Sequence, residues 1–213
     1  MKTYEYAGDP FDEPRSHPWL GAVENPESQY YDLTANPALI RSSLEDLLPW
    51  SRFSGVEAIY ALLEQLNHGK SALESNDCAF SGPHANEDIT IAKALQCCGR
   101  IMVLFRVLER NTDERLLRWL KNELHVELSQ LDSEFQWGAI GTTLIPVRYL
   151  ALSEAEGRQL GLQLMISFWA WGDDEADTMR NLERVIKNLT RALRRVAASA
   201  KRYVKNSGPQ LNG

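Results

Sequence analysis

Residues 160–196, LGLQLMISFWAWGDDEADTMRNLERVIKNLTRALRRV, change their apolar period halfway along. Up to Trp171 the period is two: Leu162, Leu164, Ile166, Phe168 and Ala170 alternate with Gln163, Met165, Ser167, Trp169 and Trp171. Side chains of a strand point alternately to its two faces, so this run is a strand with one aliphatic face and one mixed, tryptophan-rich face. Asp173 or Asp174 then caps a helix. Met179, Leu182, Ile186, Leu189, Leu193 and Val196 form its single stripe, and it is predicted to run to about residue 204. A strand feeding directly into an amphipathic helix is the building unit of an α+β layer, in which sheet and helix cover each other's apolar surface.

Working back from this unit, residues 137–152 (WGAIGTTLIPVRYLAL) are also β-like, with Pro146 implying an edge position or a bulge. A short polar turn, SEAEGRQ, joins the two runs and favours an antiparallel hairpin. Before it, Leu117, Leu120, Leu124, Leu128 and Leu131 carry a helix that Asn111 and Glu114 can open. A strand precedes that helix, with Ile101, Val103, Phe105 and Val107 on one face and Arg100, Met102, Leu104 and Arg106 on the other. Residues 95–205 therefore read β-α-β-β-α. That order is most of a ferredoxin-like split βαβ sandwich, an antiparallel sheet with helices on one face. A fourth strand, if the fold has one, comes from around residues 75–80, within a stretch (69–93) that otherwise reads as loop.

Residues 36–68 read as an N-terminal helical hairpin. Asn36-Pro37 opens the first helix, carried by Leu39, Ile40, Leu44, Leu47 and Leu48 and stopped by Pro49. Ser54 and Glu57 form a capping box for the second, carried by Val56, Ile59, Tyr60, Leu63 and Leu66. Residues 1–35, rich in Pro, Asp, Glu, Asn and Tyr, form an extended arm that packs down through Trp19, Leu20, Tyr30, Tyr31 and Leu33. Residues 206–213 read as a disordered tail, which leaves 36–205 as one α+β domain.

The whole-chain balance narrows the function. Of 213 residues, 44% are hydrophobic and 24% charged, as in globular domains. No stretch nears the ~18–20 apolar residues of a bilayer span, and MKTYEYAGDPFDEP lacks the basic and apolar regions of a secretory signal. Cys97 and Cys98 are adjacent and so do not close an unstrained disulfide, which with Cys78 suits a reducing, cytoplasmic setting. The formal charge of −6 argues against general attraction to nucleic acid or anionic lipid. The C-terminal helix departs from this balance, with nine Lys or Arg between Arg180 and Lys205 against one acid, Glu183. It is either a nucleic-acid stripe or a solvated face whose cations offset the acidic remainder.

Few residues carry chemistry by their pattern. Residues 74–86, ESNDCAFSGPHAN, put Asp77, Cys78 and His84 within ten positions, enough for a thiolate–imidazole nucleophile. The same segment is equally a structured loop whose Cys78 and Phe80 plug the core. His17, His68, His84 and His125 are scattered, and no spacing suits a metal, so neither metal nor cofactor is expected. Asp173, Asp174, Glu175 and Asp177 could hold a cation, but acids in a first helical turn satisfy its amides and dipole. The chain has neither a Gly-rich phosphate loop nor a GxSxG elbow.

The mixed sheet face remains. Met165, Trp169 and Trp171 meet Arg100 and Arg106 there, joined by Arg148 or by Tyr149, and this composition is that of interface hot spots. The face is either covered by the N-terminal hairpin, or binds a protein partner or a second copy of the chain, or stacks bases. The leading expectation is a non-enzymatic cytoplasmic protein-interaction protein of the immunity or antitoxin kind, with a homodimer as a variant. The alternatives are a small enzyme using Cys78 and His84 with Asp77, and nucleic-acid binding through the basic helix.

Overall fold

The computed structural model describes residues 1–5, 15–18, 30–152 and 159–206, with side chains to Ala200. The period-two run forms strand β6, Leu160–Gly172, and the helical stripe forms α4, Glu175–Asn206. Before them lie β5 (Gly138–Tyr149), α3 (Glu114–Ser129) and β4 (Leu95–Phe105). Asp113 caps α3, its carboxylate accepting the Arg115 amide at 3.0 Å. Trp19, Leu20, most of the SEAEGRQ turn and residues 207–213 lie outside the described residues.

The segment read as loop is a strand. β3, Leu73–Ala85, pairs antiparallel with β4 along the edge of the sheet. Its turn-type residues are absorbed at two register shifts, one between Ser75 and Asp77 and one between Ser81 and His84. Asn76 and Gly82-Pro83 sit in those gaps, where a bulge takes the extra residue. The exposed edge is blunted by the preceding segment. Asp46 Oδ2 accepts the Phe80 amide at 3.3 Å, and Trp50 lies against Gly82, so closely that a Cβ there would meet its indole at 2.1 Å.

The strand order is β1-β5-β6-β4-β3, where β1 is Lys2–Glu5, and β2, Arg15–His17, is a sixth strand also on β5. Neighbours among β3 to β6 are antiparallel, but β1 and β2 lie parallel to β5. The sheet is therefore mixed, not the purely antiparallel one expected, because the N-terminal arm adds to its edge instead of only packing down.

Pro146 explains how that edge is divided. Tyr149 donates its amide to Gln159 O at 2.7 Å beyond the end of β6, whereas Leu150 donates to His17 O at 2.9 Å. Amides alternate sides along a strand, so position 146 faces away from β6. It falls between the residues paired with β1 (139–142) and those paired with β2 (147–149), where no donor is required.

Three helices cover one face. α2, Ser54–Asn67, packs against α4 and β3, while α3 packs against α4 and β5. Val56, Ile59, Leu62, Leu63 and Leu66 of α2 are buried in one core with Phe105, Ile166 and Phe168. Burying five such side chains contributes on the order of 10 kcal/mol. That commits the second helix of the expected hairpin to this face, so it is no third layer over the other. The first helix of that hairpin shrinks to one turn, α1, Leu39–Ser42, followed by a 3₁₀ turn at Leu48–Trp50. Asp46 is held on the β3 edge, so the chain between these turns follows the sheet rather than a helix axis. The expected capping box also does not form: Ser54 Oγ donates to Glu183 at 2.6 Å, and Glu57 pairs with Arg41 at 2.7 Å. Among the described residues no helix is long and apolar enough to cross a membrane.

Candidate functional site

Alternation sends Met102 and Leu104 of β4, Ile145, Val147 and Tyr149 of β5, and Met165 of β6 to the face away from the helices. These six form a second, smaller core at one end of the sheet. β2 sits beside it through His17, whose ring makes edge contacts with Tyr149 and Tyr30 at centroid distances of 5.8 and 5.9 Å. Asn76 Nδ2 donates to His17 Nδ1 at 2.9 Å, and Asn76 Oδ1 accepts from Gln163 Nε2 at 3.1 Å. Burial lowers the His17 pKa, with the Asp32 charge opposing. The imidazole is thus held neutral, with Nδ1 as the acceptor.

Next along the sheet, Asp77 stands between two arginines. Arg15 Nη1 from β2 lies 2.7 Å from Asp77 Oδ2, and Arg100 Nη2 from β4 lies 3.7 Å from the same oxygen. Asp77 and Arg15 are mostly buried, so the pairing offsets the desolvation cost that either charge would meet alone.

Beyond this cluster the face hollows into a concavity of about 480 Å³. Ala79 and Ser81 of β3, Cys98 and Arg100 of β4, and Met165, Ser167 and Trp169 of β6 line it, with Asp46 at its edge. The register accounts for this grouping: Trp169 lies opposite Cys98, Ser167 opposite Arg100, and Met165 opposite Met102. The lining is thioether, indole, hydroxyl, thiol and guanidinium, with one carboxylate at the edge. Its thiol, Cys98, is half-buried, and burial raises its pKa, which disfavours the thiolate.

Of the six residues expected on the face, Arg100, Met165 and Trp169 converge. Trp171 lies one row further on, opposite Gln96, and is only 6% exposed. Its peptide donates to Trp137 O at 3.1 Å and accepts from Asn181 at 2.7 Å, while its indole Nε1 has no partner among the described residues. Arg106 lies past the other end of β4, roughly 20 Å from Arg100 at ~3.4 Å per residue, bound to Glu74 at 3.7 Å and to His68 O at 3.0 Å. Arg148 is exposed and alternates onto the opposite side of β5, so Tyr149 takes its place on the face.

The candidate nucleophile does not assemble. Cys78 pairs with Ile101 and packs against the main core, where burial raises its pKa far out of the reactive range. His84 pairs with Gln96, five positions along β4, which is about 17 Å at strand rise. Its Nδ1 lies 2.8 Å from Gly82 O and its Nε2 3.1 Å from the Gln96 amide nitrogen. Asp77 alternates onto the other face. Among the described residues no three His, Cys, Asp or Glu are grouped to hold a metal.

Five of the nine cations of α4 are paired locally. Arg184 grips Asp132 with two bonds of 2.5 Å, Arg195 reaches Glu127 at 2.8 Å, and Arg194 bonds Gln65 at 2.9 Å. Lys187 and Arg180 pair with Glu183 and Asp177 along the helix. These are the intramolecular partners that an acidic remainder offers.

Arg15, His17 and Asp46 belong to this face and carry no signal that reading the sequence caught. Arg15-Ser16-His17 is a three-residue alternation between Pro14 and Pro18, too short to mark a strand. Compared with family models, curated proteins and solved structures, the chain matches none.

Proposed function

We propose that this chain is a non-enzymatic protein-interaction protein that seats a protein partner in the concavity between Trp169, Met165 and Arg100. A neutralising role of the immunity or antitoxin kind fits an acidic chain with this face, in a reducing cytoplasm where its three thiols stay unpaired. One observation carries the reading. Among the described residues the three long helices lie on one face of the sheet, and the other holds a hollow rich in hot-spot side chains. The pairing of five α4 cations and the separation of Cys78 from His84 weigh against the nucleic-acid and enzyme alternatives. The finer fold reading belongs to the same proposal. Strands β3 to β6 run in the order of a ferredoxin-like sandwich whose fourth strand precedes the split βαβ unit, supported by β6 lying between β4 and β5.

The test places a photo-crosslinking side chain at Ser167 in the source cells and identifies what it captures after irradiation. The expected product is a stoichiometric protein adduct that survives nuclease. Trp169→Ala should weaken that protein's binding by roughly 2 kcal/mol or more. A crosslink only to a second copy of this chain makes the face a homodimer contact. Nucleic acid in place of protein, or an affinity that Trp169→Ala leaves unchanged, refutes the proposal.

A further inference from the structure

The β3–β4 hairpin ends in a loop, residues 86–94, that is fixed in shape yet presents an apolar side chain to solvent. Asn86 organises it: its Nδ2 donates to the carbonyls of Asp88, Ile91 and Lys93 at 3.2, 3.0 and 3.0 Å. Its own amide donates to Ala94 O at 2.9 Å and closes the loop. Asp88 Oδ1 accepts from the Thr90 amide at 2.9 Å and the Thr90 hydroxyl at 2.6 Å. Between Asp88 and Thr90 stands Ile89, 99% exposed. Every other large apolar side chain exposed among the described residues keeps at least about two fifths of its surface covered, Leu160 at 58% exposed being the next. Single exposed apolar residues are ordinary on a surface. A fully exposed, β-branched residue on a backbone locked by side-chain bonds is different, because it loses little entropy when a pocket closes on it.

The loop joins two strands of the proposed binding face. Its two strands supply Ser81, Cys98 and Arg100 to the concavity. Bonds from Thr90 hold Asp88 below the usual carboxylate range. The two side chains before Ile89 are exposed acids, Glu87 and Asp88. The loop's cation, Lys93, is directed away to Asp173 and Asp177 at 2.6 and 3.4 Å and lies over the Trp137 ring at 4.7 Å.

We infer that Ile89 is a pre-formed anchor that inserts into an apolar pocket rimmed by Lys or Arg on the same protein partner, with Glu87 and Asp88 meeting that rim. The inference rests on the proposed interaction face and specifies its partner's chemistry. Acidic flanks select against an anionic lipid surface, which would otherwise suit an exposed apolar tip. They also speed encounter with a basic partner and make it salt-sensitive.

The experiment uses the full chain with a photo-crosslinking side chain at Thr90, run beside the one at Ser167. The partner captured is then purified and its affinity measured for wild type, Ile89→Ser, Ile89→Leu and Glu87→Gln. The expected result is one partner from both positions, joined at position 90 through a segment with Lys or Arg beside apolar residues. Ile89→Ser should lose affinity by roughly tenfold or more, Ile89→Leu should keep most of it, and Glu87→Gln should flatten the salt dependence. Because Ile89 is solvated, its variants fold. A partner captured from Ser167 whose affinity ignores Ile89→Ser overturns the anchor and spares the face. No protein from either position overturns both. Flotation with vesicles containing phosphatidylserine that Ile89→Ser abolishes overturns the anchor in favour of a membrane contact.

Discussion

Replacing Asn111 with alanine is expected to cost about 3 kcal/mol of stability, and the figure follows from how the sheet ends. β4 and β6 stay in register from Leu95 opposite Gly172 to Val103 opposite Leu164, and there the pairing stops. The Arg106 amide points to β3, donating to Ala72 O at 3.1 Å, so the Phe105 peptide points the other way, to a β6 that is no longer paired. Asn111, at 0% exposure, supplies the missing partner. Its Oδ1 accepts the Phe105 amide at 2.8 Å, and its Nδ2 donates to Phe105 O at 2.8 Å and to Leu108 O at 3.2 Å. The carboxamide acts as a surrogate peptide at the end of the ladder. Alanine leaves the Phe105 amide and carbonyl buried and unpaired, at roughly 1–3 kcal/mol each. Asn111→Asp should be at least as damaging at neutral pH, since a carboxylate then faces two carbonyl oxygens. Urea unfolding followed by circular dichroism reads the loss as a shift in midpoint at constant slope. A loss below about 1 kcal/mol for Asn111→Ala would show that water or a small rearrangement replaces the amide, and the surrogate account would fail.

Two further outcomes test the face and the thiols. The His17 pKa is lowered by burial, so on acidification the unfolded chain takes up its proton first, near the ordinary ~6.5. The contribution of neutral His17 is therefore complete above that value and is lost as pH falls toward the lowered folded pKa. Wild type should lose stability relative to His17→Gln between pH 8 and 5, and parallel curves for the two would refute the buried neutral imidazole. Burial raises the pKa of Cys78, Cys97 and Cys98; Cys97 is fully buried, while Cys78 and Cys98 keep part of their surface. Iodoacetamide at pH 7.5 should modify Cys78 and Cys98 slowly and Cys97 only on unfolding; rapid labelling of native Cys78 would restore the nucleophile reading.

The parts legible in the sequence were those where period and burial agree. The alternation of β6 and the stripe of α4 face each other across one core, and local pattern was enough to find them. β3 was hidden because Asn76, Asp77, Gly82 and Pro83 are turn formers by composition, yet two bulges let the strand pass through them. The single turn of α1 shows the reverse failure. A helical stripe over Leu39–Leu48 exists in sequence, but the tertiary bond from Phe80 to Asp46 and the burial of Ile40 and Leu47 draw the chain along the sheet edge. Trp169 and Trp171 were indistinguishable by alternation, since both point to the same face. Only the depth of the row separates them, and depth is a property of the assembled sheet.

The same reasoning bears on how the face can be tested. Its concavity reads as a product of β3, β4 and β6, yet the guanidinium at its edge shares Asp77 with Arg15, which arrives on β2 from the N-terminal arm. β2 is held on β5 by three residue pairs, by the Leu150–His17 bond and by the His17 ring against Tyr149. Removing the arm would strip Asp77 of its nearer cation and uncover the small core around Tyr149, changing the position of Arg100 and the shape of the hollow together. A partly buried carboxylate that loses its nearer cation costs more than the surface pair it resembles. A shortened chain that fails to bind would therefore not speak against the face, whereas Trp169→Ala in the intact chain keeps all three members of the Arg15–Asp77–Arg100 cluster present.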